Sequence, residues 1–339
     1  MITYRDPATG YEIKQYTQGP ERNAKLYFTT ENFSADDRYF FFNRQWDETH
    51  PEGGLWRADV QTGELERILD GAHARGFAMD RIEPYGVFCK DERTVCRLDT
   101  ETLKITEVGE LPEGKVTGHL TTADTGLIAC SFHQWNKIFA LVTLNPATGQ
   151  SEVVYQSDYH LGHAQICPAD ENLIFYIHET LGDALQRTWM FDVKNRAARP
   201  YYVEHPGEWI THEVWSADGS EIAFMKLRGQ VIIGDKDGRH FDTVAKGEQL
   251  LHPCLSRDKN WVCADRISYL GVDVQEGVVL INRQSGKMID LAVTGTCKTG
   301  GDHQHPSFNR KGDMVLFSAP DRNGIAQVCT IDLNQVKRP

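Results

Sequence analysis

The run from Gly301 to Phe317, "GDHQHPSFNRKGDMVLF", places two histidines one residue apart just ahead of an apolar segment. Along an extended strand successive side chains point to opposite faces, so His303 and His305 would share a face while Gln304 points away. Two imidazoles aimed into one space suggest a divalent metal, and imidazole suits zinc, manganese, iron and nickel alike.

Histidine recurs elsewhere at a fixed place in a repeat. A polar turn followed by an apolar strand occurs seven times, as "SADDRYFFF", "AMDRIEPYGVF", "TADTGLIAC", "PADENLIFYI", "SADGSEIAF", "SRDKNWVCA" and "NRKGDMVLF". Anchored on Asp36, Asp80, Asp124, Asp170, Asp218, Asp258 and Lys311, the units are spaced by 40 to 53 residues. Strand-rich repeats of roughly 40–50 residues are propeller blades. Ahead of five of these anchors, by 5 to 7 residues, stand His119, His163, His212, His252 and His305. Equivalent positions of consecutive blades form a ring around the propeller axis, so these side chains are expected to meet at one mouth of the central channel. His252, one blade before the His303 and His305 pair, is the natural third metal ligand.

The elements that must hold this ring are strands joined by tight turns. Hairpin signatures follow most repeats, for example "DVQTGELERI" from Asp59 and "NPATGQSEVV" from Asn145. The last unit ends at "VCTIDLNQ" without the strand after its turn, while "DPATGYEIKQYT" from Asp6 has the missing form. The expectation is an all-β, seven-bladed β-propeller, one domain over 1–339, closed by the N-terminal strand so that no sheet edge is left open.

Composition narrows the function classes. A formal charge of −12 argues against nonspecific nucleic-acid binding, which depends on basic surface. No apolar run reaches the about eighteen residues of a membrane span, and the start, "MITYRDPATGYEIKQ", lacks the features of a signal peptide. The eight cysteines include no CxxC pair and read as small buried hydrophobes, which points to a cytoplasmic setting. An anionic ligand would need a local cation against this acidic background.

Several segments resemble one family. "ITHEVWSADGSEIAFM" from Ile210, "YHLGHAQICPADENLIFYIHE" from Tyr159 and "HQHPSFNRKGDMVLFSAPDRNG" from His303 are similar to the oligogalacturonate lyases, polysaccharide lyases with a seven-bladed propeller. "DPATGYEIKQYT" and "RNAKLYFTTENFSADD" near the start look like the same family. The resemblance implies β-elimination on a 4-linked uronide, with a manganese ion held by three histidines and a glutamine. It also implies a histidine base assisted by an arginine. Carried onto this chain, the metal ligands are His252, His303 and His305, the base is His212 in "THEVW", and the arginine is Arg187 in "ALQRTWMF". Where the family has its glutamine ligand this chain has Gly300, and it reads HQH where the family tends to HPH. It also lacks an insertion the family carries near "SFHQWNKIFALVTL".

The implied substrate is an anionic oligouronide, with Arg22, His163 and Lys226 as further binding candidates and His178 as a support for Arg187 or His212. Two other readings stand beside this one. The first is a noncatalytic propeller whose channel histidines bind a metal, and the second is a lyase for a different uronide.

Overall fold

The middle strands of the repeats are apolar on both faces, and this dictates the architecture. In the strand Tyr39–Arg44 three consecutive residues, Phe40, Phe41 and Phe42, are each 0% exposed. A sheet buried on both faces must be covered on both sides. Sheets standing radially around an axis satisfy this, because each blade is sandwiched between its neighbours.

The computed structural model describes residues 1–71, 75–135, 137–179, 184–247, 249–269, 271–295, 297 and 303–337. These form seven antiparallel sheets arranged as a β-propeller. Apolar clusters lie between consecutive blades: Cys263 and Leu280 of the sixth pack with Val315 and Phe317 of the seventh. Phe175 and Met190 of the fourth likewise pack with Trp215 and Phe224 of the fifth. No helix among the described residues is long and apolar enough to cross a membrane.

Ring closure follows the expected route and adds one strand. The last sheet contains Ser307–Phe308, Met314–Pro320 and Ala326–Asp332, and then takes Glu12–Gln15 from the chain start. Ile13 pairs with Ile331 and is 1% exposed, so this strand belongs to the core. Ile2–Arg5 extends the blade as a fifth, exposed strand paired to Glu12–Gln15.

Each blade begins with its innermost strand, and there a recurring irregularity shapes the channel. The pairing register shifts between Arg75 and Ala78, Gly162 and Gln165, Thr211 and Val214, and Leu251 and Cys254. Inside these bulges Gly76, His163, His212 and His252 have φ of 64°, 49°, 58° and 44°. His305, just ahead of Ser307–Phe308, has φ 45°. Positive φ is uncommon for residues with a side chain, and each such residue costs on the order of 1–3 kcal/mol. In the third blade the inner strand is interrupted between Lys115–Val116 and Thr121–Thr122, and His119 sits in the gap.

The first blade departs from the pattern. After Asn23–Lys25 the chain leaves the sheet and rejoins it at the Phe33 to Phe40 bridge. The excursion carries Tyr27 and Phe28 among the histidines of the channel.

Ile13→Ala should therefore destabilise the protein by about 2–4 kcal/mol in equilibrium denaturation, as for other large-to-small core changes. Ile2→Ala, at a position 44% exposed, should cost less than about 0.5 kcal/mol. Equal small effects would show that Glu12–Gln15 does not close the ring.

Candidate active site

The bulged inner strands converge their histidines on the axis. Ring centroids of His252 lie 4.1 Å from His305, 5.2 Å from His303 and 4.0 Å from His212. His252, His303 and His305 each offer a ring nitrogen, and these nitrogens lie within 4.8 Å of one another. His303 and His305 do share a space, with centroids 5.7 Å apart, but strand alternation is not the cause. Both precede the strand Ser307–Phe308, and the left-handed backbone at His305 sets its direction.

A carboxylate fixes the geometry of the three. Both oxygens of Asp265 lie 2.9 Å from His252 Nδ1, and Asp265 Oδ2 accepts from the His305 backbone N–H at 2.9 Å. With Nδ1 engaged, His252 has Nε2 available to a metal, the usual carboxylate–histidine–metal arrangement. Burial, reinforced by the neighbouring histidines and Lys25, holds His252 and His305 well below the ordinary imidazole range. Both are thus neutral and carry the lone pair that coordination needs. Three imidazoles with one carboxylate behind them fit a divalent ion chemically.

His212 stands beside this cluster with a different environment. Its Nδ1 is buried without a hydrogen-bond partner, so no contact at that nitrogen fixes the tautomer. Burial, then His252 and His163, push its pKa well below the usual value.

Arg187 is not an open cation. It is 5% exposed, and its two terminal nitrogens reach the carboxylate of Glu179 at 3.0 and 3.4 Å. Its Nε lies 3.8 Å from Glu213 Oε1, just outside hydrogen-bond range, and its backbone N–H donates to Glu204 at 2.6 Å. Glu179 also faces His163 Nε2 at 3.5 Å, so it links Arg187 to His163. A two-pronged grip of Arg187 on a substrate carboxylate would have to displace Glu179.

Arg22 and Lys226 lie at the rim where the chain enters the inner strands. Arg22 is exposed and precedes Asn23, while Lys226 pairs in register with Ile210 and forms an ion pair with Glu208. His178 gives its backbone N–H to the Arg187 carbonyl at 2.8 Å, and its ring packs on Tyr159 at 4.3 Å. Gly300 lies outside the described residues.

Sequence reasoning missed the floor and the carboxylates. The Tyr27 ring stacks on His119 at 5.4 Å and meets His305 at 5.1 Å, while Phe28 meets His252 at 5.2 Å. Beside Tyr27 a cavity of about 280 Å³ opens against His119, His163 and Gln165. Lys25, 4% exposed, donates to the Leu26 carbonyl at 2.7 Å, and burial brings its pKa down to about 7. A usable signal existed for two of them: Glu213 and Asp265 are charged residues next to apolar positions in inner or second strands, whereas the Lys25 strand, Asn23–Lys25, gives none.

Comparison with known proteins identifies the family. A family model described as oligogalacturonate lyase matches residues 1–236. The chain belongs to the oligogalacturonate lyase family. An oligogalacturonate lyase of Dickeya dadantii is 24% identical over 370 residues, spanning 94% of this chain and 92% of that protein. An oligogalacturonide lyase of Pectobacterium atrosepticum is 23% identical, with the same coverage of 94% and 92%. Two solved structures superpose with a TM-score of 0.87. One is an oligogalacturonate lyase in complex with manganese, at 19% identity over 98% of this chain and 96% of that one. The other is an oligogalacturonate lyase from Vibrio parahaemolyticus, at 18% identity over 99% and 97%. At these identities the two structures show the shared family propeller.

Two outcomes follow from the carboxylates. Asp265→Ala should weaken Mn²⁺ affinity by roughly 10–100-fold in calorimetric titration, because it frees the His252 ring. Glu213 has a side chain 1% exposed, and burial raises its pKa from 4.5 to about 7. The folded protein therefore holds this proton more tightly than the unfolded chain. Its contribution to stability is complete below pH 4.5 and declines as pH rises toward 7, by on the order of 2–3 kcal/mol. Glu213→Gln should flatten that part of the stability profile in urea denaturation measured from pH 4 to 8.

Proposed function

We propose that this protein is a divalent-metal-dependent lyase that cleaves short oligogalacturonides by β-elimination. The observation that carries this reading is His212, a half-buried imidazole kept neutral by desolvation, its ring centroid 4.0 Å from that of His252 at the edge of the three-histidine cluster. A base and a metal site sharing one pocket are what proton removal next to a carboxylate requires. The names of the family relatives supply the substrate class.

His252, His303 and His305 would hold the ion, with Mn²⁺ favoured by the manganese complex of the structural relative. A divalent ion bound there supplies Lewis acidity toward the uronate carboxylate, typically several kcal/mol of charge stabilisation. His212 takes the proton from C5, the double bond forms between C4 and C5, and the C4 oxygen leaves with the electron pair of its bond and takes up a proton from water. Arg187, fixed by Glu179, contributes positive potential beside the developing charge. Tyr27 and the neutral His119 line the cavity next to the metal cluster and give a sugar ring an aromatic wall. Arg22, His163 and Lys226, at or near the mouth, meet the rest of the anionic chain. The eight cysteines are free thiols, which fits a cytoplasmic setting for this enzyme and a role in pectin degradation.

The test is ultraviolet absorbance of the unsaturated product during incubation of the Mn²⁺-loaded protein with oligomers of galacturonate, glucuronate and mannuronate. Cleavage of the galacturonide supports the proposal, and cleavage of another uronide alone transfers it to that sugar. Mn²⁺ binding without cleavage of any would mark a noncatalytic module. His212→Ala should lower kcat by roughly 10²–10⁴-fold while leaving Mn²⁺ and substrate affinity nearly unchanged. The rate should rise with pH and level off below the ordinary imidazole value of 6.5, since burial favours the neutral base.

A further inference from the structure

One step along the same two strands from His252 and Asp265, the sixth blade carries a second pair of reactive atoms. Cys254 and Cys263 are direct cross-strand partners on Leu250–Leu255 and Trp261–Arg266. Cys263 belongs to an apolar cluster against which the Cys254 side chain packs. Directly opposed residues of an antiparallel pair have Cα atoms ~4.5–5.5 Å apart. A disulfide spans that separation, so the two sulfurs can be joined without the strands parting.

Access is asymmetric. Cys254 is partly exposed, while Cys263 is 0% exposed. Cys254 lines a cavity of about 40 Å³ toward the end where the chain leaves the inner strands, walled by Phe28, Arg81 and Arg257. A water needs roughly 10–15 Å³ measured in this way, so the space admits a hydroperoxide-sized molecule and excludes a peptide disulfide such as oxidised glutathione. Cys263 needs no access of its own, because it would react only with its neighbour.

We propose that Cys254 and Cys263 form a peroxide-oxidisable dithiol, and that the disulfide weakens the hold of the histidine cluster on its metal. The second half rests on the reading of His252, His303 and His305 as ligands. Cys254 sulfur attacks the O–O bond of hydrogen peroxide, giving a sulfenic acid and one water. Cys263 sulfur then displaces the hydroxyl from Cys254 sulfur, forming the S–S bond and a second water. Two electrons leave the thiols, and one peroxide is reduced.

The coupling is mechanical. The bulge that holds His252 at φ 44° lies between Leu251 and Cys254, and Asp265 is two residues from Cys263. A disulfide fixes its own dihedral near ±90°. It therefore imposes a twist on the rung next to the bulge and draws His252 and Asp265 out of their joint alignment. In a reducing cell the pair rests as thiols and the site stays assembled.

The experiment treats metal-free full-length protein with hydrogen peroxide, removes the peroxide with catalase, and follows two readouts. Mass spectrometry of a tryptic digest should find peptides 247–257 and 260–266 joined with loss of two hydrogens. Mn²⁺ titration followed by electron paramagnetic resonance should show affinity reduced by at least roughly tenfold, the scale of losing a supporting contact, and restored by dithiothreitol. Cys254→Ala should keep its affinity through the same treatment, and oxidised glutathione should leave the wild type unlinked. Absence of the linked peptides would overturn the dithiol, and linkage with unchanged Mn²⁺ affinity would overturn the coupling. If the untreated protein bound no Mn²⁺, the ligand assignment would fall while the linkage readout still judged the dithiol.

Discussion

The site depends on a backbone turn repeated at one level of the propeller. In the fourth, fifth and sixth blades the inner strand inserts a residue with positive φ, and each time that residue is a histidine. A regular strand would send the side chain into the interface between blades, where its neighbours are apolar. The bulge turns it toward the axis instead. The strain is tolerable because the second strand of each of these blades pairs with the inner strand on both sides of the bulge. Gly76 shows the same turn without a side chain, so the second blade leaves space where the others place imidazoles.

Electrostatics then sorts the histidines by role. Burial keeps His119, His212, His252 and His305 neutral, each through the cost of desolvating an imidazolium. Asp265 anchors one ring and one backbone amide, while Glu179 holds Arg187 and faces His163. Asp265 thus stands behind the candidate metal ligands, whereas Glu179, more exposed than Arg187, covers the guanidinium. In a chain of net charge −12, positive potential on the axis would then come mainly from an ion held by the histidines. The acidic background is spread over the surface, whereas the cation and the candidate metal site are concentrated on the axis.

Tyr27 and Phe28 divide the channel into two chambers with different chemistry. Toward the entry end of the inner strands lie the histidines and Arg187. Toward the exit end, Phe28 walls a small cavity reached by Cys254. The sixth blade takes part in both, since His252 and Cys254 are two residues apart on one strand. Its second strand contributes both Asp265 and Cys263. The two chambers therefore share a single pair of strands.

The repeat spacing, the turn signatures and the displaced N-terminal strand made the seven-bladed ring legible, since each is a local pattern that strand pairing must obey. The histidine register was legible for the same reason: equivalent positions in a repeat occupy equivalent places in the ring. What the repeat does not encode is the sign of φ at His163, His212, His252 and His305, and alternation along an ideal strand gave the right neighbours for His303 and His305 for the wrong reason. Tyr27 and Phe28 were invisible because they come from the first blade, where the chain leaves the sheet after Asn23–Lys25. The capture of Arg187 by Glu179, the grip of Asp265 on His252 and the meeting of Cys254 with Cys263 are contacts across strands. Charge and spacing along the chain name such residues, but only the packed sheets decide which atoms come within reach, because pairing register and bulges set those distances.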